Sequence, residues 1–104
     1  MKTISVEELK ALMDAQSDFQ LIDVREEYEY EEANIGGELI PMGHVMEHID
    51  KFAKDKQVIV HCRSGKRSAN VVLLLEKQGF DNLYNLEGGI KAWAAEIDPS
   101  KDVM

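Results

Sequence analysis

Seven consecutive residues, Cys62-Arg63-Ser64-Gly65-Lys66-Arg67-Ser68, combine a nucleophile with groups able to activate it. The reactive form of cysteine is the thiolate, and its pKa falls beside cations and at helix N-termini. An apolar run, Val58-Ile59-Val60, leads into the segment, and a helical pattern begins near Ser68. A strand therefore ends in a short loop and a helix starts directly after it. The first backbone N–H groups of a helix have no intrahelical partner and can face an anion. Gly65 lets the loop take angles that make those amides converge. Ser68 either caps the helix or donates its hydroxyl to the sulfur. A lone cysteine after an apolar strand is often a small buried hydrophobe, and Arg63, Lys66 and Arg67 alone would suit a solvated loop. An inert cysteine, however, needs neither a glycine nor three cations within five residues. The spacing favours a cradle for a sulfur nucleophile and an anion bound to it.

The rest of the chain must position that loop. Its 104 residues suit a single domain, 1–104, with one core. Of its 12 basic residues three lie in the loop, leaving nine against 20 acidic ones elsewhere. A net charge of −8 argues against nucleic acid or an anionic membrane as partner. A basic spot on an acidic body suits a small anionic substrate. One cysteine excludes an internal disulfide and a multi-cysteine metal site. The start, Met1 to Ser5, lacks a signal-peptide run, and no stretch approaches the roughly 18 apolar residues of a membrane span. A reducing cytoplasm is the expected setting.

Two periodicities alternate along the chain. Ser5-Val6-Glu7-Glu8 is a capping-box pattern, and Val6, Leu9, Leu12 and Met13 share a helical face. This helix is predicted to end near Gln16. Phe19 to Val24 reads as a buried strand, and Glu26 to Ala33 as a polar helical stretch broken at Gly36-Gly37. Glu38-Leu39-Ile40 is a short strand ended by Pro41. Val45, Met46, Ile49 and Phe52 predict an amphipathic helix over residues 42–52. Gln57 to His61 is the strand that delivers Cys62. Val71, Val72, Leu74 and Leu75 form the inner face of a helix stopped by Gly79. Leu83 to Leu86 is the last strand, and Gly88-Gly89 turns into a helix carrying Ile90, Trp93 and Ala94. Residues 98–104 read as a loosely held tail. Strands alternating with helices predict an α/β domain with a mainly parallel sheet, and ligands of such sheets sit outside the strands' carboxyl ends.

The chain resembles single-domain rhodaneses, sulfurtransferases of the rhodanese homology family. The match runs from Ser5 to Trp93 through Leu21-Ile22-Asp23-Val24-Arg25-Glu26, Ile40-Pro41, the Cys62–Ser68 loop, Gly79-Phe80, Leu86-Glu87-Gly88-Gly89 and Trp93. The resemblance implies a three-layer fold with five mainly parallel strands flanked by helices, and Cys62 as nucleophile. Cysteine phosphatases are similar in design but place five residues between Cys and Arg. Here four separate Cys62 from Arg67, a cradle sized for a persulfide. A phosphatase-type or arsenate-binding enzyme stays as a lesser alternative.

The implied chemistry is a double displacement. The Cys62 thiolate takes the sulfane sulfur of an anionic donor such as thiosulfate, and cyanide or a thiol then removes it. Arg63, Lys66 and Arg67 would bind the donor's oxyanion end and keep the thiol ionised, and no metal or cofactor is required. A relay module handing sulfur to a protein acceptor would use the same nucleophile. Asp23 and Arg25 match a family motif and either orient the loop or form a structural ion pair with an acidic neighbour such as Glu29. Alternation points the His61 side chain away from Cys62. His44 and His48, one helical turn apart, lack an obvious third metal ligand and read as a solvated face. Trp93 reads as a core or pocket-wall aromatic, and Tyr28 and Tyr30 as surface cover. Residues 33–38 depart from the family pattern in lacking its histidine and first proline, which bears on local packing and acceptor docking.

Overall fold

A computed structural model describes residues 1–103. Its core element is β4 (Gln57–His61), an apolar run of the kind required when both faces of a strand are covered. Four further strands, β1 (Lys2–Ile4), β2 (Phe19–Asp23), β3 (Glu38–Leu39) and β5 (Leu83–Leu86), complete one sheet in the order β1-β5-β4-β2-β3. All four pairings are parallel. The expected five-stranded α/β sheet is therefore present. Its edge strand β1 had no signal of its own in the sequence: three residues are too few to show alternation, and only Ile4 is buried.

Helices cover both faces. α1 (Val6–Asp14) and α4 (Gly89–Glu96) pack Val6, Leu9 and Trp93 against Ile4, Ile59 and Leu86. Trp93 is thus a core residue. On the opposite face α3 (Lys66–Lys77) packs Val71, Val72 and Leu75 against Val58, Val60 and Leu83. Leu74, predicted on that inner face, is instead 38% exposed, because the buried stripe follows the 71, 72, 75 spacing of one helical face. At the start of α1 the capping box forms as read: the Ser5 Oγ accepts from Glu8 N, and Ser5 N donates to Glu8 Oε1. At the end of α3, Gly79 N and Phe80 N donate back to Glu76 O and Leu75 O, a Schellman closure.

The segment 42–52 departs from the amphipathic helix that its spacing predicts. It forms two 3₁₀ stretches, Met42–His44 and Met46–Lys51, with non-helical angles at His48. Met42 N is tied to Val24 O of the neighbouring strand connection, and i→i−3 bonds such as His44 N to Pro41 O tighten the turns. Val45 and Phe52 are buried as expected, whereas Met46 is exposed. Among the described residues no helix is long and apolar enough to cross a membrane, and no group of three or more His, Cys, Asp and Glu could hold a metal ion.

In the atypical stretch 33–38 only Gly37 is buried, while Gly36 and Glu38 are exposed. Gly37 lies against the Leu21 backbone, and Asn34 closes a turn by accepting from Gly36 N through Oδ1. Tyr30, read as surface cover, donates its hydroxyl to Gly37 O at 3.0 Å because α2 (Glu27–Glu32) lies alongside that turn. Tyr28 remains exposed.

Candidate active site

β4 is the central strand, and Cys62 continues it beyond the carboxyl edge of the sheet. Alternation puts Val58, Val60 and Cys62 on the α3 face and Ile59 on the other. Only 1% of Cys62 is exposed. Its sulfur points into the turn formed by the loop rather than into solvent. Gly65 N donates to Cys62 Sγ at 3.1 Å, and the Ser68 Oγ lies 3.4 Å from it. That reach requires the left-handed conformation of Gly65, φ +106, which a side chain resists. Gly65 is also the N-cap, so α3 begins at Lys66, two residues earlier than the pattern suggested. Ser68 consequently sits inside the first turn, and of its two anticipated roles the structure realises the bond to sulfur.

Burial pushes the Cys62 thiol up, but the Ser68 hydroxyl and the amides of Ser68, Gly65 and Ser64 outweigh it. The net pKa lies below the ordinary thiol value. Hydrogen bonds to the charged form and the positive end of α3 therefore activate the sulfur.

Of the three loop cations, Arg67 is committed to a carboxylate. Arg67 makes a two-pronged ion pair with Glu29 of α2, at 2.7 and 2.9 Å. Its charge is thus largely compensated by a carboxylate, while Lys66 and Ser64 are exposed at the mouth. The bond from Arg67 holds the Glu29 carboxyl down to about 2. Such a depressed acid stabilises the fold above its unfolded pKa near 4.5 and loses that contribution as pH falls toward 2. Glu29→Gln is expected to cost about 1 kcal/mol near neutral pH. Denaturant titrations of the variant and wild type should differ near pH 7 and converge near pH 2.

Asp23 and Arg25 bind each other. The Arg25 Nε and Nη2 donate to both carboxylate oxygens of Asp23 at 2.8–3.1 Å, and both residues are buried. Arg25 also donates to Glu29 O and Ala33 O, which ties α2 to the end of β2. The ion-pair alternative is thus realised with Asp23 as partner, and the Glu29 carboxylate goes to the loop. This pair supports the loop indirectly, through the helix that carries Glu29. The parallel register sets Asp23 opposite His61, whose Nε2 lies 3.6 Å from Asp23 Oδ2. Burial pushes the fully buried His61 toward its neutral form. His44 and His48 fall on separate 3₁₀ stretches, and His44 faces Glu47 in solvent.

Two supports of the loop had no place in the sequence reading. Ile90 N and Lys91 N, at the start of α4, donate to Cys62 O and Arg63 O at 2.9 and 3.0 Å. Gly89 permits that approach, since a Cβ there would lie 2.4 Å from Cys62 O. The second is Asn85 of β5, buried on the α3 face beneath the cysteine. Its Nδ2 donates to Gly65 O at 3.1 Å, and its Oδ1 accepts from the Ser68 hydroxyl at 2.5 Å. An asparagine at an inward strand position, between Leu83 and Leu86, was the available signal.

A cavity of about 250 Å³ opens beside the loop, lined by Tyr28, Glu29, Glu32 and Arg63 and bordered by Asp102 and Val103. Cys62 is not among its lining residues. Within the expected tail, Asp98 N donates to Trp93 O and Lys101 N to Asp98 O, while Met104 lies outside the described residues.

Known proteins are similar to this chain in sequence and fold. The family model described as Rhodanese-like domain matches residues 5–96. A candidate sulfurtransferase of Bacillus subtilis, YtwF, is 42% identical over 100 residues, covering 95% of this chain and 96% of its own. The thiosulfate sulfurtransferase GlpE of Coxiella burnetii is 37% identical over 86 residues, covering 82% of this chain and 79% of its own. Among solved structures, a rhodanese-like domain protein from Staphylococcus aureus superposes with a TM-score of 0.85 at 34% identity, covering 100% of this chain and 99% of that one.

Proposed function

This chain belongs to the rhodanese-like domain family, and we propose that it is a thiosulfate sulfurtransferase working through a persulfide on Cys62. General sulfur transfer is the activity its relatives' names carry. The observation that carries the finer reading is the cradle itself. One sulfur atom is met by the Gly65 amide and the Ser68 hydroxyl at the N-terminus of α3.

In the first step the Cys62 thiolate attacks the outer sulfur of thiosulfate. A Cys62 Sγ–S bond forms, the donor's S–S bond breaks, and sulfite leaves with the electron pair. The amides and the helix N-terminus then face the new terminal sulfur anion. In the second step cyanide or a thiolate attacks that terminal sulfur, and the Cys62 thiolate is regenerated as leaving group. No proton or redox partner is needed with cyanide: one thiocyanate and one thiolate result. Lys66 and Arg63 supply charge for the donor's sulfonate end, and Arg67 holds the loop to α2 through Glu29. The reaction needs no metal or organic cofactor.

Initial rates with thiosulfate and cyanide varied together test this reading. Parallel double-reciprocal lines are expected, because sulfite departs before the acceptor binds. Sulfur uptake without cyanide turnover would favour a relay that discharges to a protein acceptor. Hydrolysis of an aryl phosphate without sulfur uptake would move the chain to the phosphatase class.

A further inference from the structure

The Asn85 amide has only one workable orientation. Gly65 O is a carbonyl and can only accept, so the Nδ2 must face it, and the Oδ1 must then face Ser68. The Ser68 hydroxyl has a single proton, and two acceptors lie around it: Asn85 Oδ1 at 2.5 Å and Cys62 Sγ at 3.4 Å. Ser68 is fully buried and Asn85 and Cys62 nearly so, which leaves little room for water to take the place of either partner.

We propose that Asn85 is a positioning residue that shares the Ser68 proton with the Cys62 sulfur, holding it whenever the sulfur does not require it. This rests on Cys62 being the sulfur-carrying nucleophile. The demand on Sγ changes through the cycle. As a free thiolate, Sγ carries the charge and draws the hydroxyl. As the inner atom of a persulfide, Sγ is neutral and the charge has moved to the outer sulfur. A buried hydroxyl without an acceptor is costly, and Asn85 supplies the acceptor for the loaded state. It also competes with the thiolate for the same proton, which leaves the attacking sulfur less stabilised and more nucleophilic. No bond to carbon or sulfur changes in this step; one O–H group rotates.

Alkylation by iodoacetamide as a function of pH reads the competition without any sulfur transfer. The charged groups around Cys62 are Arg63 and Lys66 in the loop, Arg67 with Glu29 behind it, and the titratable His61 on β4. Burial pushes His61 toward its neutral form and the Arg67 bond holds Glu29 down to about 2, so the profile reports the thiol. In Asn85→Leu the Ser68 proton is undivided, and the alkylation midpoint is expected to move down by roughly one pH unit. In a Ser68→Ala background the same substitution should leave the midpoint where Ser68→Ala alone puts it. If Asn85→Leu unfolds, Asn85→Thr suits a strand and is too short to reach Ser68. An unchanged or raised midpoint, or an equal shift with and without Ser68, would overturn the proposal; the last would reduce Asn85 to a tether for Gly65. Failure of wild type to take sulfur from thiosulfate would instead count against the sulfurtransferase reading.

Discussion

Cys62→Ala is expected to lower thiosulfate-to-cyanide turnover by about a thousandfold or more, because no other residue can carry the covalent sulfur. The chain has one cysteine, so no neighbouring thiol can substitute. The stability cost should be small, about 1 kcal/mol. Cys62 contributes only a small side chain to the cluster formed by Val60, Val71 and Val72. A melting curve close to wild type, with turnover at the buffer rate, separates lost chemistry from lost fold. Retained turnover would require a different nucleophile and would remove the foundation of the proposed mechanism.

Gly89→Ala is expected to be the most damaging conservative change outside the loop. The added Cβ would stand 2.4 Å from Cys62 O and 2.6 Å from Arg63 O, far inside contact distance. Both atoms are backbone, held by Ile90 N and Lys91 N, so neither moves without dragging the loop. Overpacking and the left-handed backbone at φ +60 together should cost about 3 kcal/mol. That corresponds to a fall in Tm of roughly 10–20 °C for a domain of this size. Turnover measured well below that Tm should fall by about a hundredfold, since a displaced Cys62 carbonyl misdirects the sulfur. Gly36→Ala is the comparison. It shares a positive φ, +88, but nothing lies within 4 Å of the new Cβ. It should cost only the backbone strain of about 1–2 kcal/mol and leave turnover intact.

What the sequence disclosed follows physical range. The loop was legible because strand, nucleophile, glycine and helix start are contiguous, and local chemistry needs only local residues. The parallel sheet was legible because buried strands read as apolar runs separated by helical spacing. The three-residue β1 carried too little pattern to declare itself, and its place beside β5 is a long-range pairing. The 42–52 segment showed helical spacing at Val45, Ile49 and Phe52, but the tie of Met42 to Val24 imposed tighter turns. The partners of the loop were the largest omission. Glu29 meets Arg67 across 38 residues and Asn85 meets Ser68 across 17, distances over which spacing says nothing. The two ion pairs show the same limit. Arg25 took the nearby Asp23, and Glu29, anticipated as its neighbour, was taken by the loop instead.

The central claim is that Cys62 becomes a persulfide, and intact mass after incubation with thiosulfate tests it most directly. Reduced wild-type protein should gain one sulfur atom, Cys62→Ala should gain none, and cyanide should return the wild-type mass to its starting value. An unchanged mass, under conditions where iodoacetamide still labels Cys62, would contradict thiosulfate as the donor and with it the proposed reaction.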